Sequence, residues 1–347
     1  MRFFPSHTKS TIGLILGSFF IVTLSLGDSP PSEPIKLKVV TLPFLANAPF
    51  FIAEAEGYFK EQGLDIEFVS MNRTMTAVSS LIQGTIDVMS GAIWPSHLNA
   101  IGRGARIRFV ASKSYVADSS CICSAIVARR DLIEAGLLTG PEQLSGLRVS
   151  LNPSSCRSFF MEKLLGRVGM TMEDVETVDL HFAVESEALR KGTIDIAIMS
   201  EPWLTRMKES GDAVIWKPLR EVVPRFQWGF ILYGPTLLDE NPDAGKRFMV
   251  AYLKGVRQYW QGKTERNVEI LVEHTKLDRD LLKKACWPAI NIDGQIDFDE
   301  VTTYQKWADE EGLLNRKVSE EEFCDRRFVE YARQILHGDK QESLIDH

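Results

Sequence analysis

The sequence predicts an α/β protein that is built from two similar halves. Three observations support this class: strand and helix patterns alternate from Ile35 onwards, one eight-residue pattern occurs twice, and the chain is long enough for two hydrophobic cores. Removing a predicted leader, residues 1–27, from the 347 residues leaves 320, which is a usual length for two domains.

The first half alternates short apolar segments with amphipathic ones. The predicted strands are 35–42, 64–69, 86–90 and 107–112, and the predicted helices are 48–62, 75–83 and 97–103. This βαβ order is typical of a parallel sheet that is covered by helices. Ligands of such sheets bind beyond the carboxyl ends of the strands.

The second half repeats this order after a break at Ser119. Its predicted strands are 124–128, 148–151, 177–181 and 195–199, and its predicted helices are 156–168, 185–191 and 202–209. The segment 228–233 is predicted to be a returning strand. The rest of the chain, as far as Leu336, is mostly helical, and 239–262 is its longest clear segment. We expect the chain to return to the first half here and to pack these helices on it.

An internal repeat supports two similar halves. The sequence LIQGTIDV at 81–88 matches LRKGTIDI at 189–196, and in both the Gly suits a left-handed helix end before a short buried strand. The residues that follow, 90–92 and 200–203, should then lie at equivalent sheet edges. The alternative is that helix–Gly–strand junctions resemble one another in many α/β proteins.

The N-terminus has the layout of a signal peptide. Arg2 and Lys9 precede an uncharged apolar run at 12–26, which is shorter than the roughly 20 residues of a membrane span. Ser25 and Gly27 suit cleavage after Gly27, and Asp28, not a lipid-accepting Cys, follows. We therefore expect export, with an uncleaved membrane anchor as the alternative.

Charge and cysteine content exclude several classes. The net charge is −7, and it becomes −9 without the two basic residues of the leader, which makes nucleic acid an unexpected partner. The five cysteines are Cys121, Cys123, Cys156, Cys286 and Cys324. Their odd number does not indicate a disulfide framework. A disulfide between Cys121 and Cys123 would be strained, because the two residues are only two positions apart. No His lies near them in the sequence to complete a zinc site.

One stretch carries a specific family resemblance. The sequence FFIAEAEGYFKEQGLD at 50–65 resembles the opening signature of the substrate-binding proteins of nitrate, sulfonate and taurine importers and of the related thiamine-pyrimidine-precursor binders. Further matches follow in family order at 84–87, 102–110, 144–149 and 201–203. The resemblance runs from about Ile35 to Tyr233, and the helical remainder fits by length and composition.

This resemblance implies a type II periplasmic-binding-protein fold, in which two α/β lobes close on a ligand like a hinge. Lobe 1 would comprise 28–118, lobe 2 would comprise 119–230, and 231–347 would return to lobe 1 as C-terminal helices. The crossings would lie near 117–124 and 226–234. The implied protein is a periplasmic monomer that binds a small molecule, needs no cofactor, and delivers its ligand to an ABC permease in the inner membrane.

If this architecture holds, residues beyond the strand ends line the cleft. The predicted ligand-binding residues are Phe44, Asn47, Ser90, Gly91, Trp94, Asn152, Ser154, Ser155, Glu201, Trp203 and Trp228. Asn152 or Ser154 could leave helix N–H groups free for an oxygen, or could simply cap the helix. Glu201 could accept from a ligand amine beside a stacking Trp203, or could be an ordinary carboxylate at a helix N-terminus. The other aromatic residues are either stacking walls or core.

No catalytic or metal site is predicted. Some yeast-type relatives make thiamine pyrimidine by consuming one of their own side chains, and the resemblance leads us to expect a His before the first helix of such enzymes. Asn47 stands at that position here. The Cys-rich cluster of these relatives is also missing. No phosphate loop or nucleophile elbow is present. The protein is therefore predicted not to be an enzyme, with a pyrimidine-synthase-like enzyme and a ligand-sensing periplasmic protein as alternatives. The ligand could be a sulfonate- or nitrate-type anion, but a heterocycle of neutral or positive charge is favoured.

Overall fold

The computed structural model describes residues 33–42, 44–71, 74–119 and 121–342. The predicted leader lies outside these residues. Within them, no helix has both the length and the apolar character that are needed to cross a bilayer.

Twelve strands are present in the described part of the chain. They are β1 Ile35–Thr41, β2 Leu64–Ser70, β3 Val88–Ala92, β4 Arg108–Ser112, β5 Tyr115–Val116, β6 Ser124–Arg129, β7 Arg148–Ser150, β8 Glu176–Val178, β9 Ile196–Ser200, β10 Ala213–Pro218, β11 Phe226–Gln227 and β12 Gly229–Tyr233.

Fifteen α-helices accompany the strands in the same residues. They are α1 Ala48–Ala55, α2 Tyr58–Glu61, α3 Thr74–Ile82, α4 Pro95–Gly102, α5 Arg130–Glu134, α6 Cys156–Leu165, α7 Phe182–Arg190, α8 Trp203–Ser210, α9 Leu219–Val222, α10 Pro242–Tyr259, α11 Glu265–Thr275, α12 Arg279–Lys284, α13 Phe298–Glu310, α14 Glu320–Phe323 and α15 Arg327–Glu342. The single helix predicted for 48–62 is divided, because Gly57 takes a left-handed conformation (φ 75°) between α1 and α2.

The strands form two five-stranded sheets, as the two-lobed α/β class requires. The first sheet has the order β2-β1-β3-β12-β4, and the second has the order β10-β6-β9-β7-β8. Each sheet has a parallel part, β2-β1-β3 and β9-β7-β8, as the βαβ rhythm predicts. Strand β12 runs antiparallel to both of its neighbours in the first sheet, as β6 does in the second.

The repeated sequence places equivalent strands in the two sheets. Gly84 and Gly192 both have φ 68°, and the strands β3 and β9 follow them. The Asp of each copy binds the neighbouring strand in the same way. Asp87 accepts the backbone N–H of Lys38 in β1 at 2.7 Å, and Asp195 accepts that of Arg148 in β7 at 2.9 Å. The halves are therefore similar in hydrogen bonding as well as in sequence.

The two sheets are joined where the chain crosses between them. Strands β5 and β11 pair antiparallel, with Val116 opposite Phe226, and so form a two-stranded ribbon between the two larger sheets. The chain enters the second sheet at β6 and returns to the first at β12. The predicted lobe boundary between 230 and 231 falls within β12.

The C-terminal helices pack mainly on the first sheet and its helices. Helix α10 contacts α1, α2 and α15, and α15 contacts β4. Helix α13 in addition reaches α6 beside the second sheet, where the indole N–H of Trp307 donates to Glu162 at 3.0 Å. The predicted packing of the C-terminal helices on the first half is confirmed, and α13 also contacts the second half.

Candidate ligand-binding site

A cavity of about 380 Å³ lies between the two sheets. Nine of the eleven predicted site residues line it: Phe44, Asn47, Ser90, Gly91, Trp94, Asn152, Glu201, Trp203 and Trp228. Ser154 and Ser155 do not. Residues from both sheets and from the crossing segments form the walls, so opening or closing the sheets about β5 and β11 would change the shape of the cavity.

The wall on the side of the first sheet contains a buried polar cluster. The side-chain oxygen of Asn47 accepts from Ser90 Oγ and from Lys113 Nζ, each at 2.7 Å, and its amide nitrogen donates to the Leu42 carbonyl at 2.6 Å. Only 4 % of Lys113 is exposed, and burial lowers its pKa to about 7. Asn47 therefore holds the ammonium group in place without neutralising it.

Lys113 is not among the predicted site residues, although it lines the cavity. It directly follows β4, at the carboxyl end of a strand that the sequence predicts correctly at 107–112. The rule that selected Ser90 and Glu201, which looks for polar residues just beyond a buried strand, points to Lys113 as well. The signal was therefore present in the sequence.

The wall on the side of the second sheet carries an ion pair. Arg157 donates through Nη1 to Glu185 at 2.6 Å and to the Ile198 carbonyl at 3.2 Å. Glu185 also accepts from Ser150 Oγ at 2.8 Å. This buried carboxylate and its guanidinium largely compensate each other.

The carboxylate of Glu201 is hydrogen-bonded to other groups of the protein. Its carboxylate accepts from the Thr205 backbone N–H at 3.0 Å, from Thr205 Oγ1 at 2.8 Å and from the Cys286 N–H at 3.0 Å. The side chain is 2 % exposed, and burial raises its pKa. These contacts favour the structural alternative, a carboxylate that caps α8, over an acceptor for a ligand amine.

Local hydrogen bonds stabilise the turn that precedes α6. The side-chain oxygen of Asn152 accepts the Ser154 N–H at 2.9 Å, and the Asn152 amide donates to Asp179 at 3.0 Å. Ser155 is 2 % exposed at the N-cap of α6. The Ser155 side chain forms no capping hydrogen bond, its Oγ is buried without a partner, and the bond of Asn152 ends on Ser154, before the helix begins. The side-chain cap that the capping alternative predicts is therefore not formed by Asn152, Ser154 or Ser155.

Aromatic side chains form much of the remaining wall. The rings of Phe44 and Phe182 lie 4.9 Å apart and those of Phe182 and Trp203 lie 5.3 Å apart, so one row of rings spans both sheets. Trp228 packs edge-on against Phe160 at 5.4 Å, and Trp94 lines the same cavity. Phe44, Trp94, Phe182, Trp203 and Trp228 are only half-buried, which leaves apolar surface for a ligand.

A disulfide closes one side of the cavity. Cys121, beside the first crossing, is bonded to Cys286, which follows α12, and their Cα atoms lie 5.7 Å apart. The free thiol of Cys123 also lines the cavity, and burial raises its pKa. The bridge spans 165 positions, and its pairing could not be deduced from the spacing of the cysteines.

Among the described residues, no group of three or more His, Cys, Asp or Glu is placed to hold a metal ion.

Comparison with known proteins identifies relatives of this architecture. A family model described as NMT1/THI5 like matches residues 46–262, more than half of the chain. A Staphylococcus aureus ligand-binding component of an ABC-type import system, with zinc bound, superposes with a TM-score of 0.71 at 17 % identity, covering 86 % of this chain and 99 % of that one.

Two further solved structures have the same fold. The periplasmic aliphatic sulphonate binding protein of Escherichia coli gives a TM-score of 0.67 at 15 % identity, over 85 % of this chain and 92 % of that one. The desulfurization enzyme DSZB gives 0.65 at 14 % identity, over 86 % and 99 %. At these identities the likeness concerns the fold, and the fold is shared by binding proteins and an enzyme.

Proposed function

Since the chain belongs to the NMT1/THI5-like family, we propose that it is the exported solute-binding component of an ABC importer. The observation that carries this proposal is the cavity of about 380 Å³, whose walls come from both sheets. Its volume is in the usual range for small-molecule sites, which is about 300–1,000 Å³. A ligand that contacts both walls stabilises the closed arrangement and so drives hinge closure.

In this role the protein is a periplasmic monomer that releases its ligand to an inner-membrane permease. The mature chain begins near Asp28 after removal of the leader. The ligand is a small organic molecule with a flat or apolar body, because the rings of Trp94, Trp203 and Trp228 offer stacking surface. A thiamine-pyrimidine-like heterocycle and an organic sulfonate both have such a body.

Two experiments test this function. Mass spectrometry of the protein purified from its export compartment under native conditions should find one bound small molecule per chain, which denaturation releases unchanged. Small-angle scattering should give a smaller radius of gyration with that ligand than without it. An unchanged radius at saturating ligand would contradict hinge closure.

An enzyme on the same fold is the second candidate, because the structure superposes on a desulfurization enzyme as well as on binding proteins. Prolonged incubation with the co-purified molecule separates the two functions. A binding protein returns the molecule chemically intact, whereas an enzyme accumulates product.

A further inference from the structure

The backbone on both sides of Lys113 fixes where its side chain lies. The Lys113 N–H donates to the Gly229 carbonyl at 2.8 Å, and its own carbonyl accepts from the Asn291 N–H at 2.6 Å. The residue therefore joins the end of β4 to β12 and to the loop before α13. Its side chain lines the cavity from this fixed position.

The hydrogen bonds of the Lys113 ammonium group are incomplete. An ammonium group has three N–H donors, and one of them is used by Asn47 at 2.7 Å. No carboxylate in the described part of the chain forms a salt bridge with it. A buried charge without an opposite charge is costly, and buried donors are normally paired.

The other buried charges of the cavity have partners within the protein. Glu185 is paired with Arg157 through Oε1, while its Oε2 is buried without a hydrogen-bond partner. Glu201 accepts three hydrogen bonds. The remaining acidic and basic side chains along the cavity are at least partly exposed to water: Arg157, Asp179, His181 and Arg220. Lys113 is thus the buried charge that the described residues leave uncompensated.

We infer that Lys113 selects a negatively charged ligand, an inference that rests on the proposed function. The bound solute places a carboxylate or sulfonate group against the ammonium group of Lys113. The aromatic wall then contacts the body of the same molecule, so the ligand is a flat or apolar organic anion. A cationic heterocycle would be repelled by the uncompensated positive charge of Lys113. The carboxylate of Glu201 already accepts three hydrogen bonds from the protein, so it is a poor acceptor for such a ligand.

The lowered pKa of Lys113, about 7, agrees with this geometry. An anion at 3 Å or so favours the charged ammonium form and raises its pKa on binding. Binding should therefore be accompanied by proton uptake near neutral pH, which a neutral ligand would not cause.

The test compares anions with their neutral isosteres. The probes are benzoate and benzamide, nicotinate and nicotinamide, and benzenesulfonate and benzenesulfonamide. Each is titrated by calorimetry into the full mature protein, after any co-purified ligand has been removed by unfolding and refolding. Wild-type protein should prefer the anion of at least one pair by about tenfold to hundredfold, since a charge-assisted hydrogen bond is lost in the amide.

Two variants make the comparison specific. Lys113→Met keeps the length of the side chain and removes its charge, and it should bind both members of a pair equally. Lys306→Met removes an exposed lysine of α13, and it should keep the wild-type preference. Thermal melts of both variants establish that they are folded.

The outcomes are distinct. A preference for the anion that disappears in Lys113→Met alone supports the inference. Equal binding of both members by the wild type, or a preference that survives in Lys113→Met, overturns it and leaves the solute-binding function standing. If the wild type binds none of the probes and no molecule co-purifies with it, the proposed function fails, and the inference fails with it.

Discussion

Replacing Lys113 by Met should stabilise the folded protein, and by an amount that depends on pH. Lys113 is 4 % exposed and has one hydrogen-bond acceptor, Asn47, which also accepts from Ser90. The substitution therefore removes a buried charge and leaves no acceptor without a donor. Replacing buried charged groups by apolar ones of similar volume is often neutral or stabilising.

The size of the effect follows from the pKa of Lys113. Burial lowers this pKa from 10.5 to about 7, which corresponds to about 5 kcal/mol of destabilisation while the group is charged in both states. Below pH 7 both the folded and the unfolded chain carry the proton, so the full cost is present. Between pH 7 and 10.5 the unfolded chain binds a proton that the folded chain has released, and the wild type gains stability as the pH rises. The gain from pH 7 to pH 9 should be about 2 kcal/mol, because the folded group is already half-deprotonated at pH 7.

The assay is denaturant unfolding of wild type and Lys113→Met at pH 6, 7, 8 and 9. Taking the difference between the two proteins removes the pH dependence that they share through groups distant from Lys113. The advantage of the variant should be largest at pH 6 to 7 and should shrink towards pH 9. Lys306→Met should show no such trend. An advantage of Lys113→Met that is constant with pH would refute the lowered pKa.

Three further predictions concern other groups around the cavity. Trp203→Ala should weaken ligand binding about tenfold or more in calorimetry, because a stacking surface and its burial are lost, while the melting temperature changes little. Glu201→Gln should lower the free energy of unfolding by about 1–3 kcal/mol, because an amide nitrogen replaces an acceptor for Thr205 or Cys286. The affinity per folded molecule should stay the same. Weaker binding of an amine ligand without loss of stability would instead place Glu201 in the site. Removing the disulfide with Cys121→Ser and Cys286→Ser should cost about 2–5 kcal/mol in denaturant unfolding. Reductant should reproduce this loss in the wild type and have no effect on the double variant.

The elements that follow local patterns could be predicted from the sequence. The strands β3 and β9 and the glycines before them follow from the repeat at 81–88 and 189–196. The edge strand β10 is absent from the predicted strands, although its first four residues, 213–216, are all apolar. This apolar segment is short, and Lys217 and Pro218 end it. The antiparallel position of β6 is a matter of tertiary pairing that the βαβ rhythm does not specify.

The candidate site could be predicted in position but not in chemistry. The rule that ligands bind beyond strand ends depends on topology alone, and it selects six of the nine predicted residues that line the cavity: Phe44, Ser90, Gly91, Asn152, Glu201 and Trp203. Whether Glu201 is free or occupied depends on Thr205 and on Cys286, which lies 85 positions away, and no local pattern reveals the second contact. The disulfide between Cys121 and Cys286 also joins residues that are far apart in the sequence, so no local pattern reveals it.

A crystal structure of the mature protein with 4-bromobenzoate, collected at the bromine absorption edge, shows where an organic anion binds and whether Lys113 contacts it. We expect one anomalous peak in the cavity between the two sheets, near the ring of Trp94, Trp203 or Trp228, with the carboxylate of the probe at hydrogen-bond distance from Lys113 Nζ. A bromine peak on the outer surface together with a cavity that holds only water would contradict this expectation.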